Sequence, residues 1–314
     1  MNEISELHKP VMLERCLDLL RPALSGHSRV IDATLGLGGH TEALLLEHPE
    51  LQVFGIDRDP QALELASKRL AQFGDRFVPV AATYDQIAEH FEPLSVDGIL
   101  MDLGVSSMQL DDDDRGFSYA RDTYLDMRMD QTTGKTAADL LAELDEVALA
   151  KIFKHYGEER YAMPIARRIV EKRKDQPITH SGALNKIVSA VVPQVPGKQS
   201  GHPAKRVYQA LRIAVNDELG VLERAVPQAI QALRPGGRLV VMSYHSLEDS
   251  IVKLAMQEAA SSSTPIEMPV ELPGTAAIFK IITRGVERAS EREIELNPRA
   301  ASARLRAGEK LEGN

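Results

Sequence analysis

The sequence predicts an α/β protein whose parallel sheet, covered by helices on both faces, is interrupted by an all-helical insertion. Three observations predict it. Short β-rich runs alternate with helical ones over the first hundred or so residues, the alternation then stops for about 110, and it resumes with a helix, a glycine turn and an apolar strand.

Arg29-Val-Ile-Asp32 begins the first strand, and Gly38 to Glu47 follows as a helix. Gln52-Val-Phe-Gly-Ile56 is the second strand and ends at Asp57. The next helix has a legible start and stop: Asp59 as N-cap, Pro60 in the first helical position, Leu63, Ala66 and Leu70 on one face, then Gly74. Phe77-Val-Pro-Val80 is a third strand, and Val96-Asp-Gly-Ile-Leu-Met101, ending at Asp102, a fourth. The pattern returns with a helix near Asn216 to Leu233, the turn Arg234-Pro-Gly-Gly237 and the strand Arg238-Leu-Val-Val-Met242. Ser243-Tyr-His-Ser-Leu-Glu-Asp249 leads into a helix that runs to about Ala260. Ser261 to Gly274 reads as a loop, Ala276 to Ile282 as a last strand, and the chain from Asn297 as a polar tail.

A helical crossover between parallel strands needs only about 30 residues, so the long gap is read as an inserted domain rather than a loop. Its helices are expected at Ala137 to Tyr156, Tyr161 to Lys174, Ser181 to Val192 and Ala204 to Leu219, separated by Pro177, Pro193, Pro196 and Pro203. The domains are accordingly 1–108 with 216–314 for the sheet, and 109–215 for the insertion.

With 314 residues and 43% hydrophobic side chains the chain is globular rather than disordered. No apolar run is long enough for a membrane span, and the N-terminus lacks the pattern of a secretory signal. Cys16 is the only cysteine, which excludes an intrachain disulfide and a cysteine zinc cage, and a reducing cytoplasm is the expected location. The net charge is -9, yet Arg160 to Arg212 holds eleven Lys/Arg against two acids, Glu171 and Asp175. That local excess of +9 leaves -18 on the rest and suggests a polyanion contact at the insertion. Lys205, Arg206 and Arg212 share a helix with Tyr208, a spacing suited to phosphate contact and base stacking, and Arg167, Arg168, Lys172, Arg173 and Lys174 extend it.

Gly36-Leu-Gly38-Gly39-His40 lies between a strand and a helix N-terminus, where glycine lets backbone approach a ligand. Asp57 ends the next strand, where a carboxylate accepts the ribose hydroxyls of a nucleoside. A dinucleotide fingerprint would need glycine where Thr41 stands, and no phosphate-binding G-K-[ST] follows. Asp32, four residues before Gly36, repels pyrophosphate but favours the cationic S-adenosylmethionine. Asp111 to Asp114 is read as a solvated loop, because four consecutive carboxylates cannot all face one ion, and no metal is expected.

Several longer stretches are more specific: His8-Lys-Pro-Val11, Gly55-Ile-Asp-Arg-Asp-Pro60, Asp102-Leu-Gly-Val-Ser-Ser107, Gln109-Leu-Asp111, Arg115-Gly-Phe-Ser118, Leu125-Asp-Met-Arg-Met-Asp130, Tyr156-Gly-Glu-Glu-Arg160, His202-Pro-Ala204, Ser243 to Asp249 and Asn297-Pro-Arg299. On these the chain resembles, over essentially its whole length, the bacterial 16S ribosomal RNA (cytosine-N4) methyltransferase family, RsmH, also called MraW. The resemblance implies a class I (Rossmann-like) S-adenosylmethionine-dependent fold with a helical insertion that helps recognise RNA. It implies methylation of a cytidine N4 amine in the decoding region of the small ribosomal subunit. By motif matching, the cofactor contacts it implies are Gly38, Gly39, His40, Asp57, Tyr84, Asp102 and Gln109. Tyr84 stands where similar proteins often have phenylalanine, and either ring packs against adenine.

Many amino-methyltransferases follow the fourth strand with a [D/N/S]-P-P-[Y/F] clamp, whereas this chain has Asp102-Leu-Gly-Val. Asp102 is therefore the candidate for orienting the amine, contacting the cofactor, or both. His245 is a candidate proton relay or base contact, weighed against simple capping of local backbone, and Tyr244 either stacks on a flipped cytosine or packs in the core. Rival readings are a methyltransferase for another acceptor and a non-catalytic ribosome-assembly factor. The expected partner is 16S ribosomal RNA, within the small subunit, with a homodimer open.

Overall fold

The computed structural model describes residues 10–193, 202–265, 268, 272 and 274–312, and the side chains of Ser107, Asp111 and Asp113 fall outside that description. So do His8 and Lys9 of the first motif, Pro196, and part of the loop expected at Ser261 to Gly274. The chain forms two compact units, Met1–Gly104 with Leu219–Asn314, and Val105–Glu218.

In the first unit the strands are β1 (Arg29–Asp32), β2 (Gln52–Asp57), β3 (Phe77–Ala81), β4 (Val96–Asp102), β5 (Leu233–Ser243), β6 (Phe279–Ile281) and β7 (Arg304–Lys310). They form one sheet in the order β3-β2-β1-β4-β5-β7-β6. β1 to β5 pair in parallel, while β7 is antiparallel to β5 and β6 antiparallel to β7. This is the Rossmann-like α/β class that the sequence predicts.

The period-2 alternation of strand side chains divides two apolar layers. Val30, Leu100, Val240 and Met242 enter one cluster, with Cys16, Leu20, Leu44 and Leu70 from the covering helices. Ile31, Ile99, Met101, Leu239 and Val241 enter the other, with Leu222, Val226 and Val252. Covering both faces explains why these strands read as near-continuous apolar runs. Asp59 caps the helix Pro60–Leu70 by accepting the Gln61 amide at 3.0 Å, so that start is where the sequence places it.

β7 is a correction to the polar tail expected from Asn297. Only Leu305 and Ala307 of its alternation are apolar and buried, and Arg304, Arg306 and Glu309 are held by ion pairs. Arg238 and Glu309 face each other across the β5–β7 register with Nη2 2.8 Å from Oε2, and Arg306 Nε lies 2.6 Å from Asp249 Oδ1.

The second unit is helical. Its main helices are Ala137–Glu143, Glu146–Gly157, Ala162–Lys172, Ser181–Val191 and Lys205–Asn216. The single helix expected over Ala137 to Tyr156 is thus two, because Asp145 leaves the helical conformation and caps the second by accepting the Ala148 amide at 2.7 Å. Leu149, Phe153, Ile165, Ile169, Leu184, Val188, Val207 and Leu211 form its core. The buried Asn216 amide accepts from the Met129 N–H and donates to the Met127 carbonyl, both at 2.7 Å, pinning an irregular segment to the last helix. Among the described residues no helix is long and apolar enough to cross a membrane.

Candidate active site

Parallel strands bring their carboxyl ends to one edge, and in this sheet order the reversal falls between β1 and β4, where α/β sheets bind ligands. Asp32, Asp57 and Asp102 terminate β1, β2 and β4 at that edge. The β1–β4 ladder ends with the Ala33 amide donating to the Leu100 carbonyl at 2.8 Å. Beyond it, the Thr34 hydroxyl accepts the Asp102 amide at 2.6 Å and carries the pairing one step further.

The turn after β1 is tight because Gly36 and Gly38 take φ of 51° and 74°, the left-handed region open to glycine. A Cβ on Gly38 would lie 2.9 Å from Leu70 Cδ1, and one on Gly39 would lie 2.6 Å from Pro10 Cγ. These two glycines therefore serve the close approach of protein to protein, in addition to any approach of a ligand. The ring of His40 is also committed inward: it is buried, its Nε2 donates to the Val11 carbonyl at 3.1 Å, and burial lowers its pKa to about 4. A cofactor contact at His40 is thus left to its backbone, in the first turn of the helix Gly39–Glu47, where amides favour polar ligand atoms.

Asp32 is 2% exposed, and its oxygens accept the Thr34 amide at 3.3 Å and the Thr41 hydroxyl at 2.7 Å. It braces the turn from within, and Thr41, which breaks the dinucleotide pattern, is its partner. Burial raises its pKa to about 6 against those two hydrogen bonds. Asp57 is partly exposed, and each of its oxygens accepts one amide at 2.9 Å, Asp59 on Oδ1 and Gly36 on Oδ2. A carboxylate offers about four lone-pair sites, so capacity remains for the two hydroxyls of a ribose. Burial raises its pKa while the two amides oppose the rise. Tyr84 opens a one-turn helix just past β3 and packs, half-buried, on the apolar layer that holds Ile31, Ala33 and Ile56.

Asp102 keeps some exposure. Its Oδ1 accepts the Tyr244 hydroxyl at 2.6 Å, and Oδ2 accepts nothing from the described residues. Burial, with Asp32 and Glu248 adding like charge, pushes it up to about 7, and the Tyr244 bond opposes the rise. Tyr244 therefore belongs to the site through its hydroxyl while its ring leans on the core. His245 is the N-cap of the helix Ser246–Ala259, its Nδ1 accepting the Glu248 amide at 3.4 Å. Its Nε2 is buried 3.2 Å from Glu248 Oε1 without hydrogen-bond alignment.

Gln109 lies in the second unit, buried, where its side-chain oxygen accepts the Ser106 amide at 3.1 Å in a capping box. In that unit Lys205 and Arg206 are exposed at the start of their helix, Arg206 donating to the Glu158 carbonyl at 3.1 Å. Arg212 departs from the expected phosphate contact. It forms a two-armed pair with Glu218, 2.9 Å on each arm, at 18% side-chain exposure. Tyr208 is buried with its hydroxyl on the Ser181 carbonyl, so it cannot stack on a base. Arg167 pairs with Glu146, and Arg173 caps the carbonyls of Leu141 and Leu144. Among the described residues no group of three or more His, Cys, Asp or Glu is placed to hold a metal ion.

Sequence reasoning missed the Asp102–Tyr244 bond, whose partners are 142 residues apart and share no local signal. Glu248 was findable, because it stands three residues after the N-cap in the spacing of a capping box.

Residues 5–311 match the family described as the MraW methylase family. A protein of Beutenbergia cavernae named ribosomal RNA small subunit methyltransferase H is 53% identical over 313 residues, 98% of this chain and 94% of that one. Its namesake from Saccharopolyspora erythraea is 54% identical over 308 residues, 97% and 93% of the two chains. A solved rRNA methylase of Streptococcus thermophilus aligns over 98% of this chain and 99% of its own at 13% identity, with a TM-score of 0.44. A family match over nearly the full length, joined to identities above half, makes this chain a member of the MraW methylase family.

Proposed function

We propose that this protein transfers a methyl group from S-adenosylmethionine to the N4 amine of a cytidine in the decoding region of 16S ribosomal RNA. The observation that carries the reading is the Asp102 carboxylate, with Oδ1 held by Tyr244 and Oδ2 accepting nothing from the described residues, at the strand edge it shares with the glycine turn and Asp57. The cofactor fits the donor set: Asp57 has capacity for a ribose diol, Tyr84 offers a ring just past β3, and Asp32, Asp57 and Asp102 at the strand ends suit a cationic ligand better than a pyrophosphate. When bound, S-adenosylmethionine supplies an electrophilic methyl group on a sulfonium.

The chain's own contribution is orientation and proton acceptance. An aromatic amine has its lone pair delocalised into the ring, so it attacks only when its geometry is fixed. Asp102 Oδ2 accepts one amine N–H and turns the lone pair toward the methyl group. Forming the N–C bond would break the methyl–sulfur bond and leave S-adenosylhomocysteine, and the extra proton on nitrogen would pass to Asp102, whose pKa of about 7 suits a base working near neutrality. His245 holds the turn after β5 as the N-cap of the helix that follows. In the helical unit, Lys205 and Arg206 take the RNA backbone. The relatives' names point to small-subunit ribosomal RNA as the substrate.

The test is transfer of labelled methyl to small ribosomal subunits lacking the modification, with wild type and Asp102→Asn side by side. Label in 16S RNA with wild type alone supports the reading. Cofactor binding with no label in RNA points to another acceptor, and no cofactor binding ends the enzyme reading.

A further inference from the structure

Tyr244 and Asp102 meet because β4 and β5 are neighbours. Asp102 pairs with Met242 in the register, and Tyr244 stands two residues beyond, just outside the sheet. Its hydroxyl is 2.6 Å from Asp102 Oδ1, the length of a charge-assisted O–H···O bond. Its ring packs on the apolar layer with Cδ2 3.6 Å from where a Cβ on Gly104 would be. Packing alone would be satisfied by phenylalanine, so the hydroxyl calls for its own account.

A second carboxylate fixes the backbone of that tyrosine. Glu248 is 2% exposed, and its Oε2 accepts the amides of Tyr244 at 2.7 Å and His245 at 3.3 Å. His245 returns the contact through Nδ1 to the Glu248 amide. The link between β5 and the next helix is thus a closed ring of hydrogen bonds that determines where the Tyr244 hydroxyl sits.

We propose that Tyr244 is a positioning residue for methyl transfer: it clamps Asp102 Oδ1 so that Oδ2 is presented to the acceptor amine, and Glu248 sets the clamp. This rests on the reading of Asp102 given above. A carboxylate free to rotate offers its acceptor over a wide arc, whereas one with an oxygen pinned offers it in one direction, the condition for a near-attack geometry.

The clamp also sets the proton affinity of Asp102. The ionisable groups facing Asp102 are Asp32 at the end of β1, Cys16 on the helix Leu13–Leu20, and Tyr244 and Glu248 around the turn after β5. Burial, Asp32 and Glu248 favour the protonated acid, and only the Tyr244 hydroxyl favours the carboxylate. Loss of that hydroxyl therefore moves protonation of Asp102 to higher pH. Neutralising Glu248 removes a like charge and moves it to lower pH.

The experiment measures single-turnover methyl transfer from pH 5.5 to 9 for wild type, Tyr244→Phe and Glu248→Gln, with saturating S-adenosylmethionine and subunits lacking the modification. The glutamine keeps an oxygen for the Tyr244 amide, so the clamp survives in that variant. Tyr244→Phe is expected to lose about 10- to 100-fold in rate at pH 7, with its acidic limb displaced upward and cofactor affinity changed by less than about threefold. Glu248→Gln is expected to displace the limb downward. A Tyr244→Phe enzyme slowed equally at every pH, with its limb where wild type has it, overturns the clamp and makes the residue structural. A wild-type profile with no acidic limb, together with an active Asp102→Asn enzyme, fails differently: it removes Asp102 from the reaction and the clamp with it.

Discussion

The Asp57 carboxylate accepts the Gly36 amide at 2.9 Å, tying the end of the second strand to the glycine turn after the first. One side chain thereby shapes the turn and keeps lone pairs for a ribose. Asp57→Ala is expected to weaken S-adenosylhomocysteine binding by about 10- to 100-fold, the scale of a lost hydrogen bond to a charged group. Asp57→Asn, which keeps one acceptor oxygen, should fall in between. Titration calorimetry of the three proteins checks the order.

Gly39 is expected to be intolerant of even a methyl group because Pro10 occupies the space. Gly39→Ala should destabilise the protein by about 1–3 kcal/mol, the usual scale of overpacking, seen as a lower thermal midpoint. The cause is separable by a double-mutant cycle: adding Pro10→Ala removes the Cγ that the new Cβ would meet at 2.6 Å. Additive losses from the two changes would contradict the contact.

Asp102 should make stability depend on pH with a definite sign. Its folded pKa, about 7, lies above the ordinary aspartate value of 3.8, so the folded state binds the proton more tightly than the unfolded state. Stability contributed by protonated Asp102 is fully present below about pH 4, and is lost as the pH rises through about 7. Asn keeps the Oδ1 acceptor for Tyr244 without the charge. Asp102→Asn is therefore expected to gain on wild type by about 1–3 kcal/mol between pH 5 and 8, while losing methyl transfer. Denaturant unfolding at several pH values measures the gap, and a constant gap would contradict the assignment.

Arg212 and Lys205, residues of one helix, should respond in opposite ways. Arg212→Ala removes a largely buried partner of Glu218 and is expected to cost roughly 1–3 kcal/mol of stability. Lys205→Ala should leave stability within about 0.5 kcal/mol and reduce the salt dependence of RNA binding by about one charge. Unfolding curves and filter-binding titrations at several salt concentrations separate the two.

The central parallel strands were legible because they are covered on both faces and read as compact apolar runs, as Ile99-Leu-Met101 and Leu239-Val-Val241 do. The helix after Asp59 was legible because cap and proline are local signals. β7 was not, since Arg304, Arg306 and Glu309 are retained in the sheet by ion pairs whose partners lie far away in sequence. The break at Asp145 was hidden inside a continuous helical pattern, and the burial of Tyr208 depends on its packing in the helical core. In the site, residue types at strand ends were readable. What each carboxylate touches was not: Asp32 turned to Thr41, nine residues away, and Asp102 to Tyr244, 142 away.

The central claim is the atom that receives the methyl group, and nucleoside analysis tests it most directly. Small subunits lacking the modification are treated with the enzyme and deuteromethyl-labelled S-adenosylmethionine, and the digested 16S RNA is resolved by mass spectrometry against standards. The account predicts label in N4-methylcytidine, at one cytidine of the decoding region. Label in a C5-methylated base, a ribose 2′-O-methyl group or another nucleoside would contradict it.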